Sequence, residues 1–377
     1  MDFAFNDEQQ MLQDTTRRYL ASAYSFEKRA RILESEAGWS REVWNGLAEL
    51  GLLAVDIPED QGGIGAGPVG LMLVAQAAGA GLLLEPLLSS AVVATRVITQ
   101  LATQEQCERW LPTLADGSII AVLAHDEPEA CIDVQAITTS ATHDADGWRL
   151  DGRKSMVYHA PIANLLLVSA RDEDGAIAVF AVPAGAAGVT LNSSMAVDGQ
   201  HVADVVLDGV RVGTADRLRG DATQLQAAVD YGLAVFCAEA LGGLERILEA
   251  TIDYTRQRVQ FGVPIGSFQA LQHRMADMLM QVEQARSMVD LAVTRCQEID
   301  PAKRRKALSG AKVLVGQAAR QVSQQAVQLH GGMGMTDELD VSHHVKRLLA
   351  FELRCGTTDE HKAICRDLLV NDVESDD

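Results

Sequence analysis

Near the end of this chain of 377 residues, Phe351 to His361 read FELRCGTTDEH. Moving a proton to or from carbon needs a side chain whose charge changes near working pH, and this stretch offers several. Cys355 could act as a thiolate base if a cation such as Arg354 lowered its pKa, although a lone cysteine is more often a small inert hydrophobe. Glu352 stands three residues earlier on the same helix face, about 4.5 Å nearer the helix start by the rise per residue. Asp359 and Glu360 lie beyond the Gly356-Thr357 turn, and His361 reads as a solvated surface histidine.

Two further stretches suit anions and flat ligands. In RQRVQFGVPIGSFQALQH, Arg256 to His273, Arg258 ends one helix, Gly262, Pro264 and Gly266 break it, and Gln269 starts the next. This is either a plain helical hairpin whose cations suit a helix C-terminus or a phosphate-facing corner. A guanidinium makes bidentate charge-assisted bonds to phosphate oxygens. QLHGGMGM, Gln328 to Met335, follows a helix rather than a strand, so it is not the dinucleotide loop of a Rossmann fold. It is either a glycine cap between helices or a place where a ligand approaches the backbone closely, with Gln328 as a hydrogen-bonding anchor.

The elements that must position these groups fall into three regions. Residues 1–117 read as a helical domain. Met11, Leu12, Thr15 and Leu20 share a stripe, Ser40 precedes a helix as its N-cap, and Pro58 to Pro68 form a Gly/Pro loop. Residues 118–221 carry short apolar or alternating runs separated by Asp-Gly and Pro-Ala-Gly turns, the pattern of a small antiparallel sheet or barrel. Residues 222–377 return to helical periodicity in four long segments with short links, an antiparallel four-helix bundle in which Pro301 opens one helix.

Composition narrows the partners. A formal net charge of −20 repels polyphosphate and anionic membrane surfaces, so nucleic acid is not an expected ligand. The opening MDFAFNDEQQML has neither the basic region nor the apolar core of a signal peptide. The greasy run Val69 to Leu84 is too short to span a bilayer and reads as a buried helix. Six cysteines lack disulfide or zinc spacing, so no metal is implied and a reduced, cytoplasmic protein is expected.

In this order and spacing, Arg258-x-x-Phe261-Gly262, Gln269, Gln328-x-x-Gly331-Gly332-x-Gly334 and the later Gly356-Thr357 turn resemble the flavin-dependent acyl-CoA dehydrogenase family. The likeness runs over the whole chain and includes the loop GLLAVDIPEDQGGIG. The opening MDFAFNDEQQMLQDTTRRYL and the segment from Pro264 look most like the small subunits of two-component members, such as that of pimeloyl-CoA dehydrogenase. The resemblance implies an FAD cofactor shared across a subunit interface. One subunit supplies the isoalloxazine pocket. Its neighbour holds the ADP half, here with Arg258, Gln260, Phe261, Gln269, Gln328, Gly331 and Gly332, all of them present.

The other half of the site departs from the family. The family's base is the Glu immediately before the Gly-Thr turn, and here that place is Cys355. The alternative seat, on the first bundle helix, is Gly232. Glu127-Pro128 survive from the Thr-Glu-Pro segment, but its Gly-Ser is Cys131-Ile132, and Trp-x-Thr is Met156-Val157-Tyr158. The expectation is therefore that FELRCGTTDEH contains no catalytic acid or base. The chain is read as the non-catalytic partner of a heterotetrameric acyl-CoA dehydrogenase, with an acyl-CoA substrate and an electron-transfer flavoprotein as acceptor. The alternatives are a self-sufficient homotetramer with a non-standard base and a flavin-free scaffold on the same fold.

Overall fold

A computed structural model of the chain describes residues 5–128, 130 and 133–375, with side chains to residue 370. The departure at Cys131-Ile132 lies outside the described residues. Helix α1 (Asp7–Ala23) is started by a reciprocal cap: Asn6 accepts from the Gln9 amide, and the Gln9 side chain accepts from the Asn6 amide. Its inner face is Thr16 and Leu20, whereas Met11 points to solvent. Of the stripe expected from the sequence, Leu20 is buried as expected, but Thr16 takes the inner place given to Thr15; its hydroxyl donates to the Leu12 carbonyl at 2.8 Å. Helices α2 (Phe26–Glu34), α3 (Arg41–Glu49) and α4 (Gly67–Ala80) follow, and Ser40 caps α3 by accepting from the Val43 amide. A π-helical stretch, Leu87–Ala94, runs directly into α5 (Thr95–Leu101), and α6 (Gln104–Ala115) precedes the strands.

Strands β1 (Ala121–Ala124), β2 (Ser140–Asp144), β3 (Gly147–Tyr158), β4 (Leu165–Arg171), β5 (Ile177–Pro183), β6 (Val189–Met195) and β7 (His201–Val212) form one sheet in the order β1-β4-β2-β3-β7-β6, with β5 on β4. Most pairs are antiparallel, as turn-linked neighbours must be. β1 and β4, however, run parallel, with Ala121 opposite Leu165. Their separation in sequence holds the whole β2–β3 hairpin, which supplies the long crossover a parallel pair needs. Bulges in β3 near Gly152 and between Lys154 and Val157 bend the sheet.

The C-terminal helices are α7 (Ala222–Gln257), α8 (Gln269–Arg295), α9 (Pro301–His330), α10 (Asp340–Leu353) and α11 (Thr358–Ser375). Between α7 and α8 lies a two-stranded ribbon, β8 (Val259–Gln260) with β9 (Val263–Pro264). Among the described residues, five helices stand where four were expected, because the Gly356-Thr357 turn launches α11. α9 packs against α8, α10 and α11.

These elements group into two compact units. One comprises the chain up to Arg29, Met72–Leu83 and everything from Leu233; the other comprises Ala30–Leu71 and Leu84–Gly232. Within the first, α4 and α7 meet backbone to backbone. A Cβ built on Gly79 would lie 1.9 Å from the Glu239 carbonyl, and one on Gly242 would lie 2.0 Å from that of Gln76. α7, not the Val69 to Leu84 run, is long and apolar enough to cross a membrane, but 89% of its apolar window is buried inside the protein.

The sheet unit has its own core, in which Leu165, Leu167, Val179 and Ala181 pack with Trp110 and Leu114. It also encloses a charged pair. Lys154 Nζ lies 2.7 Å from Glu127 Oε1, and the Glu127 carboxylate accepts further bonds from the amides and hydroxyls of Thr138 and Thr139. Burial opposes the charged carboxylate, but Lys154 and the threonines outweigh it and hold Glu127 down at about 2.

Candidate functional site

Each polar group of Phe351 to His361 has a structural occupation. Glu352 accepts from the Thr358 amide at 3.0 Å and from its hydroxyl at 2.7 Å, which ties the end of α10 to the start of α11. Thr357 and Glu360 cap α11 reciprocally: the Thr357 amide donates to Glu360 at 2.7 Å, and the Glu360 amide donates to the Thr357 hydroxyl at 3.3 Å. Asp359 is on the surface, paired with Lys362 at 3.0 Å.

His361 is not the solvated histidine expected from the sequence. Its ring is buried, donating from Nε2 to the Cys355 carbonyl at 2.8 Å and accepting the Ser309 hydroxyl at Nδ1, 3.0 Å away. Burial lowers its pKa, so it stays neutral and pins the turn. The polar sequence around it hid a position that α9 covers.

The seat of the family's base is built from cations and a thiol. Cys355 takes a left-handed backbone, φ +57°, directly after Arg354, the C-cap of α10. The Arg354 guanidinium lies over the Phe236 ring at 3.9 Å. Beneath the turn, the buried Lys312 ammonium donates to the carbonyls of Phe351 and Arg354, the latter at 3.0 Å, and sits 3.7 Å from the Phe351 ring centre. Burial lowers the Lys312 pKa, partly offset by the charge of Glu352. Cys237, fully buried, is pushed up to about 12 and stays a thiol. Lys312 was missed in the sequence; its one signal is a lone charge inside the apolar run LSGAKVLVG.

The alternative seat, Gly232, is buried in α7 and carries no side chain to act. Beside it in the chain, Tyr231 donates to Asp56 at 2.5 Å, and Arg96 stacks over the Tyr231 ring at 4.2 Å. Burial raises the Asp56 pKa against the Tyr231 bond and the Arg96 charge, and its Oδ2 has no hydrogen-bond partner. The sequence reading passed over Asp56 because a carboxylate before Ile57-Pro58 looks like a loop residue.

The residues expected to hold a nucleotide gather at one end of the helical unit. Tyr254, one turn before Arg258, stacks on His330 at 4.4 Å and donates to its carbonyl at 3.3 Å, clamping the C-terminal end of α7 to that of α9. The ribbon follows one of these two helix ends and the Gln328 to Gly332 turn lies at the other. Arg258, Gln260, Phe261, Gln269, Gln328, Gly331 and Gly332 are all exposed.

Two of these residues have conformations or identities that the chain itself does not require. Phe261 and Gly262 form the tip of the ribbon, both with positive φ, +55° and +83°. That turn favours Asn-Gly, and a bulky residue there is strained. The Phe261 side chain is nevertheless 92% exposed. Gly332 has no positive φ, and a Cβ built on it meets nothing within 4 Å. Gly331, by contrast, needs glycine for its φ of +60°, and Gly334 packs on His330 and Val327. The space above Gly332 suits a group that approaches the backbone from outside.

On the sheet, Met156 stands at the position of the family's Trp. It has φ +51°, is half exposed, and its amide donates to Asp204 at 3.1 Å.

Profiles of the acyl-CoA dehydrogenase N-terminal, middle and C-terminal domains match residues 6–118, 123–210 and 222–369. The probable acyl-CoA dehydrogenase YngJ of Bacillus subtilis is 29% identical over 98% of this chain and all of its own. The L-prolyl-[peptidyl-carrier protein] dehydrogenase of Pseudomonas fluorescens is 31% identical over 98% of this chain and all of its own. Among solved structures, a chain of the ChsE4-ChsE5 complex from Mycobacterium tuberculosis superposes with a TM-score of 0.91 at 28% identity, covering 98% of this chain and 99% of that one.

Proposed function

Because the chain belongs to the acyl-CoA dehydrogenase family, we propose that it is the base-less subunit of a heteromeric acyl-CoA dehydrogenase, completing the FAD site of a related subunit that carries the catalytic glutamate. The family's reaction oxidises a CH–CH bond, and FAD supplies its hydride acceptor. The residues present fit the nucleotide half of that cofactor. Arg258 offers a fork to the pyrophosphate, Gln269 and Gln328 offer amides, and the open backbone at Gly331 and Gly332 admits a close approach. Phe261 and Gln260, on a strained exposed ribbon, would reach into the neighbouring subunit.

The observation that carries the proposal is the occupancy of the base's seat. Removing the proton next to a thioester needs an anion aimed at that carbon. Here that place holds Cys355 instead of a carboxylate, and Glu352, Glu360 and His361 are committed to holding the turn. The apolar surface at the nucleotide end, including Val259, Phe261, Phe268 and Met335, is of the kind that a subunit interface covers. The similarity to the ChsE4-ChsE5 complex supports a two-subunit assembly. Electrons would then pass to an electron-transfer flavoprotein.

The test is purification of the chain alone and together with a homologous subunit that carries the glutamate, reading flavin absorbance and acyl-CoA dehydrogenation. Activity should need both chains and should vanish when the partner's glutamate is changed. One FAD per chain and full turnover in the lone protein would refute the heteromer.

A second reading, a self-sufficient enzyme with its own base, is favoured by Asp56, whose carboxyl is buried, raised in pKa and only half satisfied beside the empty Gly232 seat. Asp56→Asn separates the two: it should abolish turnover of the lone chain only under this second reading.

A further inference from the structure

β6 is the last strand of its sheet: β7 pairs with one side of it and, among the described residues, no strand pairs with the other. A bare edge offers unpaired amides and carbonyls to any extended chain, and proteins guard such edges with lysine, proline or bulges. β6 carries none of these guards. Its sequence, VTLNSSM, has no charge and no proline. Its register with β7 runs from Val189 opposite Leu207 to Met195 opposite His201 without a shift. The strand sits inside a run without charged residues from Gly175 to Val197, on a chain whose net charge is −20. Asp204, opposite Asn192 on β7, is already paired with Arg153 at 2.5 Å.

The phase of the ladder shows which backbone groups are open. Ala196 donates to the Gln200 carbonyl at 2.9 Å, and Asp208 donates to the Gly188 carbonyl at 3.0 Å. Hydrogen-bonded pairs alternate along an antiparallel ladder, so the even-numbered residues of β6 turn their backbone groups to β7. Leu191, Ser193 and Met195 turn theirs to the open edge. The side chains of these three lie on the same face as Ala203, Val205 and Leu207, which are buried, yet Ser193 is exposed and Met195 is 61% exposed. The buried face of the sheet thus runs out to an open edge.

We propose that two copies of this chain pair antiparallel through β6, about a two-fold axis at Asn192. That register sets Leu191 opposite Ser193 of the second copy and Val189 opposite Met195, which keeps the buried faces of both sheets on one side. The outward amides and carbonyls of Leu191 and Ser193 then meet as hydrogen-bonded pairs, and the two Asn192 residues face each other as a non-hydrogen-bonded pair. The absence of charge lets two strongly acidic chains approach here without like charges standing opposite each other. β6 contains no residue of the nucleotide-holding set, so the pairing does not depend on flavin.

The test uses the full-length protein, purified alone and with the glutamate-bearing subunit. Non-hydrogen-bonded partners have Cα atoms about 4.5 Å apart, within reach of a disulfide. Asn192→Cys treated with glutathione disulfide should therefore give a covalent homodimer of this chain, the two thiols being oxidised and two reduced glutathiones released. Thr190→Cys should not, because its two copies would stand about 14 Å apart along the strands. The parent chain is the control for the native thiols. Ser193→Lys adds a charge at an exposed position outside the β7 hydrogen bonds, and it should halve the particle mass in sedimentation while flavin absorbance stays unchanged. No homodimer with Asn192→Cys, equal cross-linking of Thr190→Cys, cross-linking of Asn192→Cys to the other subunit instead, or an unchanged mass in Ser193→Lys would each overturn the proposal.

Discussion

Gly332→Ala separates what this chain needs for its own fold from what it holds for a ligand. The added methyl meets nothing within 4 Å, and the backbone there is not left-handed. In the isolated fold, replacing such a glycine stabilises by about 0.4–1 kcal/mol, because the unfolded chain loses freedom. If a flavin nucleotide lies against that backbone, the methyl occupies its space. An overpacking cost of about 1–3 kcal/mol corresponds to roughly 5–150-fold weaker cofactor binding.

Gly334→Ala is the internal control. Its Cβ would sit 3.0 Å from His330 Cβ and from the Val327 carbonyl, so that variant should lose stability. The assay is a thermal midpoint and a flavin-to-protein absorbance ratio, measured on the chain purified with its partner subunit. Gly332→Ala should raise or preserve the midpoint while lowering flavin content, and Gly334→Ala should lower the midpoint. Unchanged flavin content in Gly332→Ala would refute the reading of this turn as a cofactor cradle.

Further outcomes follow from the same geometry. Phe261→Asn places a residue suited to left-handed φ at the ribbon tip, so it should gain about 1 kcal/mol in stability yet weaken subunit association, measurable by size-exclusion dilution. Cys355→Ser should leave turnover of the assembled enzyme within about twofold of the parent, whereas a loss of about a hundredfold would put the base at this position. Glu127 has a folded pKa of about 2 against an ordinary 4.5, so its stabilisation is complete above about pH 4.5 and is lost as pH falls toward 2. Lys154→Met removes the partner ammonium and should move the acid-unfolding transition, followed by circular dichroism, to higher pH.

The order of helical, β and helical regions was legible because periodicity and turn chemistry are local. Asn6, Ser40, Thr103 and Asp300 cap helices where their side chains reach amides two or three residues on. The motif residues Arg258, Gln269, Gln328 and Gly331 could likewise be recognised in order along the chain. What local pattern missed is instructive. α11 was signalled by Thr357-x-x-Glu360, but the same Gly-Thr turn read as part of a site and concealed the cap.

From residue types alone, this protein announced its family and, by resemblance, a candidate nucleotide-holding set and a missing glutamate, since these are statements about which side chains stand at which positions. Packing alone decided what the remaining polar groups do. Packing against α9 turned His361 from a surface residue into a wedge and set Lys312, on α9 itself, under the end of α10; within the sheet unit, Asp56 was left half satisfied beside Tyr231. A side chain's charge and reach are written in its own chemistry, but whether water or another helix surrounds it depends on residues far along the chain.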